Sequence, residues 1–408
     1  MSVTAAPAAS CALHDAGTCR SCPHLSLPMP DQLAAKQSRV ATLLAEHVPA
    51  ELWQAPAASA PTGFRNKAKM AVAGTTARPT LGILDGAGCG VDLRACPLHV
   101  PAIEAALPVL ADLVTELGLR PYDVPSRRGE LKYVLVTASP DDDLMVRFVL
   151  RSRRYLERLR AAVPDLRRRL PQLAVAAVNI QSVHQAVIEG PEEIVLTEED
   201  RLLMRLRLPS PGLGSRASRP AESVELPLYL PTRSFFQTNT TVAEALYATA
   251  RGWAEEAEPA RVWDLFCGVG GFALALAAPG RQVLGVEVSA SAIDGARAAA
   301  DLMGLDPALV RFEAGDARVL DPAAGERAGG VQRPDLLVVN PPRRGIGEQL
   351  ATRIEASGVE RVLYSSCNPR TLAADLAHLP SMRVVRSRLF DMFPHTEHAE
   401  VLVELVRD

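Results

Sequence analysis

A cysteine flanked by small polar residues, in the run Tyr364-Ser-Ser-Cys367-Asn-Pro-Arg370, is the side chain best placed for covalent chemistry. It follows an apolar run that reads as a strand, so it falls on the loop before the next helix. A thiol there can have a lowered pKa and attack as the thiolate. Read alone, it is equally a buried structural thiol. Another apolar run ends in Asn340-Pro-Pro-Arg-Arg-Gly345. Consecutive prolines end a strand ladder and fix the exit loop, leaving Asn340 to face a ligand or cap the turn. Further on, His395-Thr-Glu-His398-Ala-Glu400 offers a carboxylate at the start of a strand. Glu400 is a candidate general base, although by itself it reads more readily as a surface glutamate. The two histidines lack a clear third ligand and read better as loop-packing groups than as a metal pair.

The segment Asp264-Leu-Phe-Cys-Gly-Val-Gly-Gly-Phe272 puts Gly268, Gly270 and Gly271 between a strand and a helix. Glycines let the backbone turn tightly there and approach a ligand with no Cβ in the way. About 20 residues on, the next strand ends in Glu287, which can accept hydrogen bonds from both hydroxyls of a ribose. Together these features point to a nucleoside-containing cofactor. The spacing Gly-x-Gly-Gly leaves a pyrophosphate cradle incomplete, and S-adenosylmethionine, having no phosphate, would not need one. Cys267 reads as a small buried residue in the turn.

The chain has seven cysteines, an odd number, so a disulfide framework is not expected. Cys11, Cys19 and Cys22 are matched by a distant Cys96-Pro97. Four thiolates can hold zinc or a 4Fe–4S cluster, and the spacing does not choose between them.

The elements that must position these residues fall into two rhythms. The first half shows a helix over 31–47 capped by Asp31, strands over 67–74 and 80–84, a hairpin of 131–137 with 144–150, an Arg-rich helix and a strand over 173–180. Strands and helices do not strictly alternate there, which is an α+β pattern. Residues 209–220, with two glycines and three prolines, read as a surface loop. Beyond residue 226, strands over 262–266, 282–288, 310–313, 336–340 and 361–364 are mostly separated by helices. That is the rhythm of a doubly wound, Rossmann-like parallel sheet. Two closing strands, 384–390 and 400–406, form an antiparallel end. Ligands bind at the carboxyl ends of strands in such sheets, which is where the glycine loop, Asn340 and Cys367 fall.

A length of 408 residues favours more than one domain, and no apolar run reaches the roughly 18–20 residues needed to span a bilayer. The first ten residues do not read as a secretory signal, so a cytoplasmic protein is expected. A net charge of −3 argues against coating nucleic acid by bulk electrostatics. It leaves room for a local basic face, and Arg147, Arg151, Arg153, Arg154, Arg158, Arg160 and Arg167 to Arg169 crowd one stretch. The same stretch also reads as a solvated helix surface.

A nucleophilic cysteine and a base suit one demanding reaction. Carbon 5 of uracil is a poor nucleophile toward a sulfonium methyl. Adding a thiolate to carbon 6 makes an enolate whose carbon 5 can attack the methyl. A base must then remove the proton from carbon 5 so that the thiolate is expelled. From Ser234 onward the chain resembles the uracil-5 RNA methyltransferase family. The resemblance rests on Ser234-Phe-Phe-Gln237-Thr-Asn, Asp264-Leu-Phe-Cys-Gly-Val-Gly-Gly, Asn340-Pro-Pro-Arg-Arg-Gly, Ser-Ser-Cys367-Asn and Asp391-Met-Phe-Pro-His-Thr-Glu-His-Ala-Glu400. It implies Cys367 as nucleophile, Glu400 as proton acceptor, and Gln237, Phe266, Glu287 and Asn340 as contacts to S-adenosylmethionine. Many members carry Asp where this chain has Asn340.

Toward the N-terminus, Cys11-Ala-Leu-His-Asp-Ala-Gly-Thr-Cys-Arg-Ser-Cys22 and Phe64-Arg-Asn-Lys-Ala-Lys-Met70 are similar to the branch of the family acting on 23S rRNA. That likeness implies a 4Fe–4S cluster on Cys11, Cys19, Cys22 and Cys96, leaving Cys89 without a role. Three regions are expected: a cysteine-bearing iron–sulfur region (1–100), an α+β region with an RNA-binding surface (101–225) and a methyltransferase domain (226–408). The expected substrate is a uridine of 23S rRNA in a loop or flipped out, since a base inside a stem cannot reach Cys367. Arg65, Lys67, Lys69 and the stretch from Arg147 to Arg169 are candidate phosphate contacts. The protein is expected to act as a monomer with no membrane partner. Rival readings are an amino-methyltransferase, whose Asn-Pro-Pro loop would end in an aromatic residue, a non-enzymatic iron–sulfur RNA-binding protein and a dinucleotide oxidoreductase.

Overall fold

The computed structural model describes residues 9–185, 187–209, 223–318 and 333–408, so nearly all of the expected 209–220 loop lies outside the described residues. The chain begins with a short helix α1 (Ala12–Asp15) and then α2 (Met29–Leu43). The helix expected from Asp31 starts at Met29, with Pro28 at the N-cap position and Pro30 in the first turn. A proline costs little there because the first N–H groups of a helix have no intrahelical acceptor.

Next come β1 (Lys67–Thr75), β2 (Arg78–Leu84), β3 (Gly90–Asp92), α3 (Pro101–Glu116), β4 (Leu131–Ala138) and β5 (Leu144–Leu150). They are followed by α4 (Leu156–Arg169), β6 (Leu173–Ile180) and β7 (Glu192–Val195). The strands make one sheet in the order β3-β2-β1-β4-β5-β6-β7. Only β5 and β6 pair in parallel, and α4 is the crossover between them. Ile103, Leu107, Leu110 and Val114 of α3, with Leu159, Val163 and Leu166 of α4, share a core with Val134, Val136, Val146 and Phe148 of the strands. The three- and four-residue spacing on the helices and the alternation on β4 produce that shared face.

A hairpin of β8 (Arg201–Leu208) and β9 (Val224–Pro231) leads to α5 (Thr240–Ala257), capped by the Asn239 side chain accepting from the Val242 N–H. The last part holds β10 (Arg261–Leu265), α6 (Gly271–Ala275), β11 (Gln282–Glu287), α7 (Ala290–Leu302), β12 (Val310–Ala314), β13 (Leu336–Val339) and α8 (Gly347–Ser357). It ends with β14 (Arg361–Ser366), α9 (Pro369–Leu376), β15 (Met382–Phe390) and β16 (Glu400–Arg407). The order is β12-β11-β10-β13-β14-β16-β15, with β16 antiparallel to both neighbours. The direction of winding reverses between β10 and β13, the position where open α/β sheets bind ligands. The expected α/β methyltransferase sheet is present, beside an α+β first half.

The N-terminal segment does not stay with the first sheet. Val40 and Leu44, at the end of α2, are fully buried in a core with Trp263, Leu350, Ile354 and Leu372 of the second sheet and its helices. Trp53 and Ala57 then bridge to Ser387 and Phe390 along β15, extending that sheet's edge. Among the described residues no helix is long and apolar enough to cross a membrane.

Candidate active site

The glycine loop leaves β10 through backbone that few side chains adopt. Phe266 has φ +68°, Gly268 +55° and Gly270 +87°. Phe266 is held in that state by its N–H, which with the Cys267 N–H donates to the Val286 carbonyl of the neighbouring strand at 3.0 Å. A Cβ on Gly271 would stand 2.4 Å from the Tyr247 hydroxyl, so that position has room for glycine alone. Asp264 is fully buried and accepts from the Ala273 N–H at 2.9 Å, tying the strand to α6. Burial pushes its carboxyl up to about 8, with the Ala273 bond opposing and the Glu287 charge adding. Cys267 is buried in the turn, as expected.

Glu287 ends β11, accepting from Gly268 N–H at 3.3 Å and Ser289 N–H at 3.1 Å. These bonds orient the carboxylate toward the loop and leave lone pairs for a ligand. The Asn340 loop leaves β13 alongside. It is anchored by Asp375 of α9, which accepts from Ile346 N–H at 2.9 Å, Gly347 N–H at 3.0 Å and the Tyr364 hydroxyl at 2.5 Å. Asn368 and Thr371, just after Cys367, both donate to the Arg343 carbonyl. These bonds tie the two loops together.

Cys367 is half-buried. Its thiol pKa is raised rather than lowered: burial contributes most, the Glu400 charge adds, and the Arg343 guanidinium opposes. The sequence reading, which allowed for a lowered pKa beside the helix start, missed the carboxylate across the cavity. Glu400 is buried at the start of β16 and accepts from the Ser365 hydroxyl at 2.5 Å. It is not the surface residue its position suggested. Burial pushes its carboxyl up to about 7, against the Ser365 bond.

One cavity of about 670 Å³ is lined by Gln237, Phe266, Glu287, Asn340, Cys367 and Glu400, together with Tyr247, Arg343, Phe393 and the exposed Phe235. All six residues read from the sequence as catalytic or cofactor-binding thus share a wall. Tyr247 carried no signal, because it stands in an ordinary apolar pattern until the fold closes, and Phe393 was marked only by the segment Asp391 to Glu400 in which it falls. His395 is fully buried and His398 is on the loop surface, and among the described residues neither belongs to a group set to hold a metal ion.

A second cavity of about 180 Å³ is lined by Cys11, Cys19, Cys22 and Cys96 with Arg65 and His99. Cys89 is exposed in a turn with Asp85 and does not reach it. Burial, then the other three thiols, push the Cys22 thiol up to about 11, while Arg65 pulls it down. Among the described residues no group of three or more His, Cys, Asp or Glu side chains is set to hold a metal ion.

The candidate phosphate contacts separate. Arg147 is a correction: its side chain is 2 % exposed and paired with Glu189 and Glu193, so it cannot meet RNA. It lies on a strand facing the sheet's own carboxylates, not on the Arg-rich helix. Arg151, Arg153, Arg160, Arg168 and Arg169 each pair with a nearby carboxylate. Arg65 turns toward the cysteines, Lys67 is half-buried and Lys69 is exposed.

Residues 225–408 match the family model described as tRNA (Uracil-5-)-methyltransferase. A protein of Halothiobacillus neapolitanus named 23S rRNA (uracil(747)-C(5))-methyltransferase RlmC is 48% identical over 401 residues, 97% of this chain and 99% of that one. This chain belongs to the uracil-5 RNA methyltransferase family. A family member of the same name from Cronobacter sakazakii is 47% identical over 400 residues, covering 98% and 100% of the two chains. The crystal structure of Pyrococcus abyssi tRNA (uracil-54, C5)-methyltransferase in complex with S-adenosyl-L-homocysteine is similar with a TM-score of 0.73. It covers 94% of this chain and 85% of its own at 23% identity, which establishes the shared fold.

Proposed function

We propose that this chain transfers the methyl group of S-adenosylmethionine to carbon 5 of a uridine in 23S rRNA, in the cytoplasm. What supports the reading is one observation above others: a thiol and a buried carboxylate share a cavity with a glycine loop and Glu287. Near-full-length relatives named for that reaction support the substrate.

In this reading Glu287 accepts from the ribose hydroxyls of the donor, and Gln237, Phe266 and Asn340 line its methionine and adenine portions. Asn340 can donate as well as accept, unlike the Asp of many members. Cys367, as thiolate beside the Arg343 guanidinium, adds to carbon 6, and the ring electrons move to an enolate. Carbon 5 attacks the sulfonium methyl, and S-adenosylhomocysteine departs with the electron pair of the broken bond. The Glu400 carboxylate then takes the proton from carbon 5, the carbon 6–sulfur bond breaks, and the thiolate leaves. Reaching Cys367 requires a uridine unstacked from its neighbours.

Cys11, Cys19, Cys22 and Cys96, which line the second cavity, would be the residues to hold the expected 4Fe–4S cluster. Four cysteine thiolates suit either zinc or a 4Fe–4S cluster, and the likeness to relatives of the 23S rRNA branch is what favours the cluster. The cluster would supply a crosslink that orders the chain, with no part in methyl transfer. Cys19→Ser is expected to reduce folding or RNA affinity, while any folded fraction keeps S-adenosylmethionine binding.

The deciding experiment supplies anaerobically purified protein with labelled S-adenosylmethionine and unmodified ribosomal RNA, then locates the methyl by mass spectrometry. RNA containing 5-fluorouridine should trap a covalent adduct on Cys367, since fluorine cannot leave as a proton. A methyl on an exocyclic amine, or turnover that survives Cys367→Ser, would overturn the reading.

A further inference from the structure

The loop between β15 and β16, residues 391–399, leads directly into Glu400 and carries Phe393 on the cavity wall. Met392 and Ala399 pack into the cores of its own sheet, whereas its polar anchors come largely from α2, more than 350 residues away in sequence. Lys36 donates to the Asp391 carboxylate at 2.6 Å and to the Phe393 carbonyl at 3.0 Å. The two side chains of that ion pair are 3 % and 1 % exposed. Arg39, one turn further, donates to the Glu397 carbonyl.

One turn before Lys36, Gln32 makes a two-way contact with His395. Its Oε1 accepts the His395 backbone N–H at 2.9 Å, and that fixes its Nε2 as the donor facing His395 Nδ1 at 3.2 Å. His395 must then carry its proton on Nε2, which donates to the Pro61 carbonyl at 2.6 Å. The His395 carbonyl accepts from the His24 N–H at 3.1 Å, two residues after Cys22. All of this surrounds a residue with φ +63°, a left-handed state uncommon for any residue but glycine, although His adopts it more readily than most. Such a conformation persists only where its surroundings over-determine it.

We infer that Gln32 and Lys36 are positioning residues for proton removal: α2 holds the loop so that Glu400 and Phe393 keep their places while the carbon 5 proton is taken. The inference rests on the proposed covalent mechanism. Cys367 sits on a different loop, pinned to the Asn340 loop by Asn368 and Thr371. Loosening α2 therefore slows the second half of the reaction and leaves the first half intact. A merely structural role would slow both halves together.

The test uses Gln32→Met and Lys36→Gln in the full-length protein with unmodified uridine RNA. Expected are unchanged affinity for S-adenosylmethionine, an unchanged single-turnover rate of adduct formation and turnover reduced about tenfold or more. The Cys367–RNA adduct should accumulate on denaturing gels, where the unaltered protein shows little. Equal loss of adduct formation and turnover, no change in either, or loss of S-adenosylmethionine binding in both variants would each overturn the inference. Failure of the unaltered protein to form an adduct with 5-fluorouridine RNA would instead refute the mechanism beneath it.

Discussion

Replacing Asp375 by Ala removes one carboxylate from beneath the Asn340 loop and leaves three donors without their acceptor. Two of them, the Ile346 N–H and the Tyr364 hydroxyl, are buried, whereas Gly347 is half-buried and water can serve its N–H. A buried donor left unpaired costs about 1–3 kcal/mol. The Ile346 N–H keeps a contact of 3.3 Å to the Tyr364 hydroxyl, so the loss is about one full penalty plus part of a second, with about 3 kcal/mol as the working value. The lost attraction between a carboxylate and the start of α8 adds about 0.3–1 kcal/mol. Against a total stability of about 5–15 kcal/mol this is a large fraction. Urea unfolding followed by circular dichroism should show a lower midpoint with an unchanged slope. Calorimetric titration of the folded variant should show weaker S-adenosylmethionine binding, because Asn340 and Arg343 lie on the loosened segment. Asp375→Asn keeps one acceptor oxygen and should lose about half as much. A loss under about 1 kcal/mol for the alanine variant, with binding intact, would refute the account of how the two loops are joined.

Other expectations concern the cavity and the arginine stretch. Cys367→Ser should abolish turnover and the 5-fluorouridine adduct while leaving calorimetric S-adenosylmethionine affinity within about twofold. Because burial pushes the Glu400 carboxyl up to about 7, its basic form is lost as pH falls through that value. Single-turnover release of free methylated RNA from the Cys367 adduct, the step in which Glu400 takes the proton, should therefore rise with pH across the region near 7. In Glu400→Gln it should be about 10²–10⁴-fold slower and should lose that dependence. Gly271→Ala places a Cβ 2.4 Å from the Tyr247 hydroxyl, so S-adenosylmethionine binding should weaken about tenfold or more. Arg147→Met leaves Glu189 and Glu193 without their counter-ion, Glu193 keeping only the Asn179 amide, and should cost about 3 kcal/mol in urea unfolding. At equal folded fraction its RNA affinity in a filter-binding assay should be unchanged.

The sequence by itself determined the second sheet and what stands at its carboxyl edge. Alternating strands and helices admit few topologies, and the glycine loop, Glu287, Asn340 and Cys367 each close a strand that apolar runs mark out. Local rules sufficed there because each residue's place depends on its own strand. Only the tertiary structure decided what comes together from afar. Glu400 reads as an exposed strand end until β16 inserts between β14 and β15 and buries it against Ser365. Arg147 reads as one of a basic group until Glu189 and Glu193 meet it across the first sheet. The amphipathic pattern of α2 announced a helix, yet nothing local to it indicated Asp391 and His395 as partners. A buried polar side chain is recognisable only by the group that satisfies it, and for Gln32 and Lys36 that group lies near the other end of the chain. The raised thiol of Cys367 has the same origin, since burial and a facing carboxylate are properties of the closed cavity.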